Sequence, residues 1–409
     1  MCPYAAPGAI GVAGVGARSF NPDARARLPA APALQWLVTR ILAHYQVDGP
    51  AAGIEARAAA LALEQSIEMP LTAVTSRYVR EQVVATVERI EPLATQGHQV
   101  TLAIATATVG RDIGQLMNML FGNCSLQDDV SLLDVELPPA LVAHWPGPRF
   151  GLAGIRSLVG AGPRALTMTA LKPQGLPPAE LAALAATFVH AGLDIIKDDH
   201  GIADQDYAPF AARVSACQRA VAKANAASGG HSVYAPTLSG GPRQLAVQAR
   251  IVREEGLHMV LACPMLMGLP VFDELLRHDL DCAVLAHPAL GGATRIAPAL
   301  LFGRIFRLLG ADATVFPNHG GRFSYSPATC AALAHAARAP WHGLRACAPV
   351  PAGGMNVERI DEMLAFYGHD VILLIGGALL AAGDALPQHA REFVSRVHQA
   401  GFATEANQS

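Results

Sequence analysis

The second half of the chain alternates short apolar runs with longer stretches of helical periodicity. Nearly continuous apolar runs are typical of parallel strands that are buried on both faces of a sheet. Eight such runs occur, at Leu166–Ala170, Asp194–Ile196, Ser232–Ala235, Met259–Ala262, Ala283–Ala286, Thr314–Phe316, Leu344–Ala348 and Val371–Ile375. The helical stretches between them include Pro178–His190, Asp206–Ala222 and Pro242–Glu255.

This regular order predicts a (β/α)₈ barrel over residues 146–400. Eight strand–helix units in about 250 residues is the usual size of that fold. A doubly wound open sheet is the alternative. The first strand–helix connection, KPQGLPP, contains no GxGxxG pattern, which disfavours a dinucleotide-binding version of the open sheet.

A break in the pattern near residue 145 separates the predicted barrel from a different upstream region. The stretch HWPGPRFG at 144–151 has two prolines and two glycines, which is typical of a connection. Strand patterns at 44–47, 83–93, 100–109 and 132–137, with helical patterns at 54–68 and 114–121, predict a small α+β domain over 41–145. Residues 1–40 and 401–409 are predicted to be tails. The first twenty residues lack a leading basic segment, which favours a flexible tail over a signal peptide.

The composition narrows the class of protein. Hydrophobic residues make up 52% and charged residues 15% of the chain, which predicts a large core and a covered subunit interface. A net charge of −3 argues against a nucleic-acid-binding or anionic-membrane surface. The longest uncharged apolar run, at 256–272, is interrupted by a histidine and two prolines, so no membrane span is expected. Seven scattered cysteines without a CxxC pair indicate reduced thiols and predict a cytoplasmic protein.

Polar side chains cluster where the second predicted barrel strand ends. In GLDIIKDDH, Lys197 and Asp199 share one face of the strand, and His200 follows at its end. Burial at an apolar barrel mouth disfavours a charged lysine, and a neutral lysine can bind carbon dioxide as a carbamate. The carbamate and Asp199 would offer the oxygen ligands that Mg²⁺ prefers. A solvated turn is the alternative, which the buried strand and Lys172 on the neighbouring strand end disfavour.

Two glycine pairs follow the seventh and eighth predicted strands, Gly353-Gly354 and Gly376-Gly377. Backbone amides of these two loops often bind a substrate phosphate in this fold. Simple tight turns are the alternative.

Three further polar residues each have two interpretations. His287, after the fifth predicted strand, is either an acid–base group or a core histidine that donates to a carbonyl. His319 and Arg322 lie in a glycine-rich loop after the sixth strand, and either contact an anionic substrate or serve at the surface.

Together these motifs resemble the large-chain superfamily of ribulose-bisphosphate carboxylase. ALKPQG and GLDIIKDDH are similar to its first-strand and carbamate-lysine motifs, and AGG and IGG at 352–354 and 375–377 are similar to its phosphate-binding turns. Upstream, LEQS resembles the segment with the catalytic glutamate, which would be Glu64, and NMLFGN resembles the asparagine segment, for which Asn118 and Asn123 compete. The resemblance implies an α/β fold class: an N-terminal α+β ferredoxin-like domain before a C-terminal (β/α)₈ TIM barrel.

The departures from the family pattern imply a RuBisCO-like protein of form IV that does not fix CO₂. His200 stands where carboxylases have a third acidic metal ligand, and Gln174 stands where they have a second lysine. The loop PNHGGRF lacks their mobile lysine, and Pro288 replaces an arginine that binds the second phosphate.

The resemblance further implies enolate chemistry of the lyase or isomerase type. Mg²⁺ held by carbamylated Lys197, Asp199 and His200 would stabilise an enediolate, and Lys172 would move the proton. The expected substrate is a monophosphorylated keto sugar or keto sugar acid. The KDDH variant and the FPNHGGRF loop favour a decarboxylase or transcarboxylase/hydrolase of 3-oxo-isoapionate 4-phosphate. The alternatives are an enolase or isomerase of a methylthio-pentulose phosphate in methionine salvage, and a non-catalytic binding or regulatory homologue.

The low charged fraction and the resemblance also predict a homodimer or a multiple of dimers. The N-terminal domain of one chain would cover the barrel mouth of the other. Glu64, with Asn118 or Asn123, would then approach Lys197 of the partner.

Overall fold

The computed structural model describes residues 39–94, 97–323 and 325–406, with side chains described to residue 400. The predicted N-terminal tail therefore lies outside the described residues, apart from its last two positions. The last helix runs to Ala406 and so continues into the predicted C-terminal tail.

The N-terminal region is built on a four-stranded antiparallel sheet in the order β2-β3-β1-β4. Its strands are β1 Arg40–Val47, β2 Thr86–Pro92, β3 His98–Ala105 and β4 Val130–Glu136. The helices α1 Ile54–Glu64 and α2 Ile113–Phe121 supply apolar residues to the core under this sheet. Tyr45 of β1 is fully buried, and its hydroxyl donates to the Leu120 carbonyl at 2.6 Å, which ties α2 to the sheet.

The C-terminal region is a barrel of eight parallel strands, as predicted. They are β5 Leu166–Leu171, β6 Ile195–Asp198, β7 Val233–Ala235, β8 Met259–Ala262, β9 Ala283–Ala286, β10 Ala313–Pro317, β11 Ala348–Ala352 and β12 Ile372–Leu374. The strands follow one another in chain order, and β12 pairs with β5. A single bridge between Thr237 and Leu261 joins the two halves after β7.

Helices surround the barrel and connect its strands. After α2 they are α3 Pro139–Val142, α4 Gly151–Leu158, α5 Pro178–His190, α6 Phe210–Ser228, α7 Pro242–Glu254, α8 Pro264–Met267, α9 Leu269–Glu274, α10 Phe306–Leu309, α11 Pro327–Arg338, α12 Ile360–Tyr367, α13 Gly377–Leu380 and α14 Leu386–Ala406. Among the described residues, no helix is both long and apolar enough to cross a membrane. The six cysteines in the described part of the chain are buried free thiols.

The seventh barrel strand is the one that the sequence pattern misplaced. The apolar run Leu344–Ala348 predicted a strand there, but the strand is Ala348–Ala352. Pro349 and Pro351 made the true segment an unfavourable strand candidate. The structure accommodates both prolines because, among the described strands, β11 forms its backbone ladder with β10 only. The two prolines, at alternate positions, have no N–H to donate towards β12 on the other side.

The barrel is closed at its N-terminal end by α4. Leu152, Ile155 and Val159 from this segment join the inward-facing residues of the strands in one apolar cluster. Asp312 anchors the plug, because its carboxylate accepts the backbone N–H groups of Phe150 and Gly151 at 2.6 and 2.7 Å. Its other oxygen accepts the Val284 N–H of β9 at 2.9 Å. Only the carboxyl ends of the strands remain open to a ligand.

We predict that Asp312→Ala lowers the free energy of unfolding by about 2–4 kcal/mol, because it leaves two buried N–H groups and one half-buried N–H group without an acceptor. Urea denaturation followed by circular dichroism measures the change. Asp128→Ala, at a fully exposed carboxylate, is the matched control and should stay within about 0.5 kcal/mol of the parent. Equal stability of the two variants would contradict the anchoring role of Asp312.

Candidate active site

A cavity of about 1000 Å³ opens at the carboxyl ends of the barrel strands. It is the place where this fold carries its chemistry. Most residues singled out from the sequence line it: Lys172, Lys197, Asp199, His200, His287, Arg322, Gly353, Gly354, Gly376 and Gly377. Residues that lie far apart in the sequence therefore meet around one cavity.

The two-residue period of β6 decides which side chains of the KDD segment reach the cavity. Ile195 belongs to the cluster inside the barrel, and Ile196 packs outward against the helices. Lys197 therefore points inward and lines the cavity, and Asp198 points outward. Asp199 lines the cavity again as the strand ends.

Lys197 is a buried amine. It is only 2% exposed, and its Nζ donates to the Asp198 carbonyl at 3.0 Å. Burial lowers the pKa of Lys197 from 10.5 to about 8, and the nearby Lys172 lowers it too, against the opposing effect of Asp199. A substantial neutral fraction near neutral pH makes this amine a nucleophile.

Asp199 is the carboxylate that links the charged groups of the cavity. Its Oδ1 lies 2.8 Å from Lys172 Nζ and 3.5 Å from His200 Nδ1. Burial alone would raise the pKa of Asp199, but the hydrogen bonds from His200 and Lys172 and the charge of Lys197 outweigh it and lower that pKa. The side chain is therefore an anion held between two lysines.

Asp198, to which the sequence analysis assigned no role, holds the outward face of β6 in place. Its carboxylate accepts Arg213 Nε at 3.0 Å, the Tyr234 hydroxyl at 2.7 Å and the Thr237 N–H at 3.1 Å. Asp198 and Arg213 are both fully buried. The alternation along KDD was the only sequence signal for this outward network.

His287 and His200 form a stacked pair. Their ring centroids are 4.1 Å apart, with planes inclined by 13°. Burial, with Lys197 and His200 nearby, lowers the pKa of His287 far below its usual range, so the ring is neutral. Its Nδ1 accepts the Ala289 N–H at 3.2 Å, so the proton of the neutral ring is on Nε2. The structure places the His287 ring at the cavity wall, where an acid–base group would have to lie.

The glycine pair at 353–354 occupies positions where a side chain would collide. Both residues have left-handed φ values, +83° and +91°. A Cβ on Gly354 would lie 2.6 Å from the Gly321 Cα, and one on Gly353 would lie 2.9 Å from the Phe323 ring. The loop after β11 therefore packs directly on the loop after β10. Gly376 and Gly377 line the same cavity from the end of β12.

His319 is separated from the cavity, unlike Arg322 in the same loop. Its ring packs on Phe366 at 4.6 Å, and its Nε2 is buried without a hydrogen-bond partner. Because His319 does not line the cavity, this placement does not support a direct contact with substrate. Arg322 does line the cavity, with its guanidinium 5.3 Å from the Phe323 ring centroid.

The residues proposed from the N-terminal segments lie outside the cavity of their own chain. Asn123 Nδ2 donates to Glu64 at 2.9 Å and to Glu68 at 2.7 Å. Asn118 instead contacts Gln115 at 3.4 Å. Asn123 is thus the asparagine that is joined to Glu64. Glu68 was not singled out from the sequence.

Three side chains of the cavity wall could hold a magnesium ion if Lys197 carried a carbamate. Among the residues described, no group of three or more His, Cys, Asp and Glu side chains could hold a metal by itself. Asp199 and His200 are adjacent, however, and Lys197 is a buried amine beside them. A carbamate on Lys197 would complete a set of oxygen and nitrogen ligands.

The comparison with protein families gives one match. Residues 151–314 match the family described as "Ribulose bisphosphate carboxylase large chain, catalytic domain". A Rubisco-like protein from Rhodopseudomonas palustris, solved by crystallography, superposes with a TM-score of 0.83 at 49% identity, covering 89% of this chain and 99% of that one.

Curated relatives extend the similarity over most of the chain. A "Ribulose bisphosphate carboxylase-like protein 1" from Rhodopseudomonas palustris is 54% identical, over 88% of this chain and 98% of the relative. A "5-methylthioribulose-1-phosphate isomerase" from Rhodospirillum rubrum is 52% identical, over 88% of this chain and 97% of the relative. A "2,3-diketo-5-methylthiopentyl-1-phosphate enolase" from Geobacillus thermodenitrificans is 31% identical, over 68% and 70%.

The lysine content makes the ionisation of Lys197 directly measurable, because the chain has only three lysines, at 172, 197 and 223. We predict that one lysine ε-carbon resonance in ¹³C-lysine-labelled protein titrates near pH 8 and disappears in Lys197→Arg. Near pH 8 about half of these amines are then neutral.

Asp199→Asn should move this midpoint to lower pH, because it removes the negative charge that favours the ammonium. Lys223→Arg is the control and should leave the resonance in place. A midpoint above pH 10 for Lys197 would contradict a buried, readily neutralised amine.

Proposed function

The chain belongs to the ribulose bisphosphate carboxylase large-chain family as a RuBisCO-like protein, and from that premise we propose that it isomerises 5-methylthioribulose 1-phosphate by way of an enediolate. The observation that carries the proposal is the convergence of Lys172, Lys197 and Asp199 on one cavity. Amines and a carboxylate that meet in one cavity supply the groups that removal of a proton next to a carbonyl needs.

The relatives favour this substrate over the one expected from the KDDH and FPNHGGRF motifs. That expectation was a decarboxylase or hydrolase of 3-oxo-isoapionate 4-phosphate. Two of the curated relatives reported above carry isomerase and enolase names instead, which supports the methylthio-pentulose alternative. The isomerase is 52% identical and the enolase 31% identical, so the isomerase is the better supported of the two.

The reaction begins with removal of a proton from a carbon next to the substrate carbonyl. Lys172 is proposed to accept this proton as a neutral amine, and its Nζ lies in the cavity, 2.8 Å from Asp199 Oδ1. An isomerase must return the proton to a different carbon. The neutral His287, which carries its ring proton on Nε2, offers a second donor in the cavity.

The phosphate of the substrate is proposed to lie at the two glycine pairs. The loops after β11 and β12 both border the cavity, and their glycines let a ligand approach the backbone N–H groups closely. Arg322 adds a positive charge at the cavity wall. The proposal is therefore a substrate with one phosphate.

Carbamylated Lys197, Asp199 and His200 are proposed to hold Mg²⁺. The ion would supply positive charge that stabilises the enediolate oxygens. Lys172 is kept beside this set by its ion pair with Asp199. The ionised state of Asp199 suits both tasks.

A homodimer is proposed to complete the site. Buried Gln65 donates to the Met119 carbonyl at 2.8 Å, which holds Glu64 beside Asn123. Neither residue of this pair lines the cavity of its own chain. A second chain that places its N-terminal domain over the barrel mouth would bring Glu64 and Asn123 to Lys197.

We predict that the protein converts 5-methylthioribulose 1-phosphate into an isomeric phosphate with Mg²⁺ and bicarbonate present. Lys197→Ala should lower kcat on the order of 10³-fold or more, because it removes the carbamate ligand. Proton and phosphorus NMR in ²H₂O measure product formation and deuterium uptake next to the carbonyl.

Lys223→Ala, at the exposed third lysine on α6, is the matched control and should retain full activity. Deuterium uptake without a new isomer would favour an enolase. Undiminished turnover by Lys197→Ala would contradict the assignment of Lys197.

A second prediction concerns the shared site. Glu64→Ala and Lys197→Ala chains, each inactive alone, should regain about a quarter of wild-type activity when mixed, because half of the dimers are mixed and each has one complete site. Native mass spectrometry establishes that subunits have exchanged. Mixed dimers without activity would show that Glu64 does not act on the partner's barrel.

A further inference from the structure

The loop after β9 holds a leucine in a backbone conformation that leucine avoids. Leu290 has φ +66° and ψ −9°. Among the described residues, only Glu68 and His342 share a left-handed φ without being glycine. A bulky residue in this region costs about 1–2 kcal/mol, and such strain is concentrated at functional sites.

Neighbouring contacts determine this conformation. The Ala289 N–H donates to His287 Nδ1, and the Gly291 N–H donates to the Pro288 carbonyl at 2.9 Å. A side chain at Gly291 would collide with the ring of Phe302. The loop is thus held on both sides of Leu290.

The loop is also fastened downstream to the N-terminal sheet. The Leu132 N–H of β4 donates to the Arg295 carbonyl, and the Ala297 N–H donates to the Leu132 carbonyl, both at 2.9 Å. The position of Leu290 follows from a chain that is anchored at both ends.

These contacts place an apolar side chain at the cavity. Leu290 lines it while 57% of the residue is exposed. Pro288, Ala289 and Phe302 line the same sector. Among the described residues that line this sector, no side chain is charged, and the His287 ring is neutral. Lys197 comes from β6 itself, Lys172 and Asp199 directly follow β5 and β6, and the glycine pairs follow β11 and β12.

We propose that Leu290 is a specificity-determining residue that covers the apolar thioether end of the substrate. This inference rests on the proposed function. With the phosphate at the glycine pairs and the reacting carbons at Lys172 and Lys197, the remaining end of a pentulose extends to another sector of the mouth. A methylthio group there gains by leaving water, and a hydroxyl group loses hydration without gaining a partner.

The test compares kcat/KM for 5-methylthioribulose 1-phosphate with that for ribulose 1-phosphate, which ends in a hydroxyl group. For the wild type, kcat/KM should be about tenfold or more higher for the thioether substrate. A small apolar group in an apolar pocket usually gives discrimination of this size. Leu290→Asn should lower this preference about tenfold. Asparagine tolerates the left-handed backbone, so the variant should melt no lower than the parent.

Two controls separate this role from others. Leu290→Met keeps an apolar side chain and should keep the preference. Val247→Asn removes an exposed apolar side chain on α7 and should change neither rate constant.

An unchanged preference in Leu290→Asn, with an active wild type, would overturn the inference and leave the proposed function intact. Dissociation of Leu290→Asn into monomers by light scattering would overturn it too, because the residue would then serve the interface. A wild type that turns over neither sugar would contradict the proposed function itself.

Discussion

The site depends on burying a lysine amine at the mouth of the barrel beside one carboxylate. Removal of Lys197 from water costs free energy when the amine is charged, and this cost lowers its pKa to about 8. The same burial would raise the pKa of Asp199, but the hydrogen bonds from His200 and Lys172 outweigh it and keep the carboxylate ionised. At the end of β6, Lys197 can therefore be neutral while Asp199, two residues later, stays ionised. Each of these states depends on the neighbouring groups.

The use of lysine and arginine across the chain follows from this requirement. Only three of the 30 basic residues are lysines, and two of them, Lys172 and Lys197, line the cavity. Arginine stays charged in any protein environment, so it suits the structural ion pairs. Arg213 against Asp198 is such a pair, fully buried on the opposite face of β6. Lysine is thus concentrated where an amine must lose its proton.

The sequence patterns predicted the barrel and the residues that line its cavity more completely than the contacts that hold those residues in place. The resemblance, the fold class and the enzyme class are confirmed, and the runs Met259–Ala262 and Ala283–Ala286 match their strands at both ends. Local patterns misplaced β11, because its two prolines made the segment an unfavourable strand candidate. They also could not predict the Asp198 network, the burial of His319 or the contact of Glu68 with Asn123, because these depend on partners from distant segments. The expected substrate rested on two local motifs, KDDH and FPNHGGRF, whereas the named relatives support the methylthio-pentulose alternative better.

The N-terminal end of the barrel is closed and contributes stability, whereas the carboxyl end is open and holds the candidate active site. At the closed end, Asp312 accepts hydrogen bonds from three N–H groups, two of them buried, and ties the start of α4 to β9. The open end can then carry features that destabilise a fold, such as a buried amine, glycine loops packed backbone to backbone and a leucine with left-handed φ. The loop with the left-handed leucine follows β9, whereas Lys172, Lys197 and Asp199 lie at the ends of β5 and β6, so the two groups of residues are held by different strands.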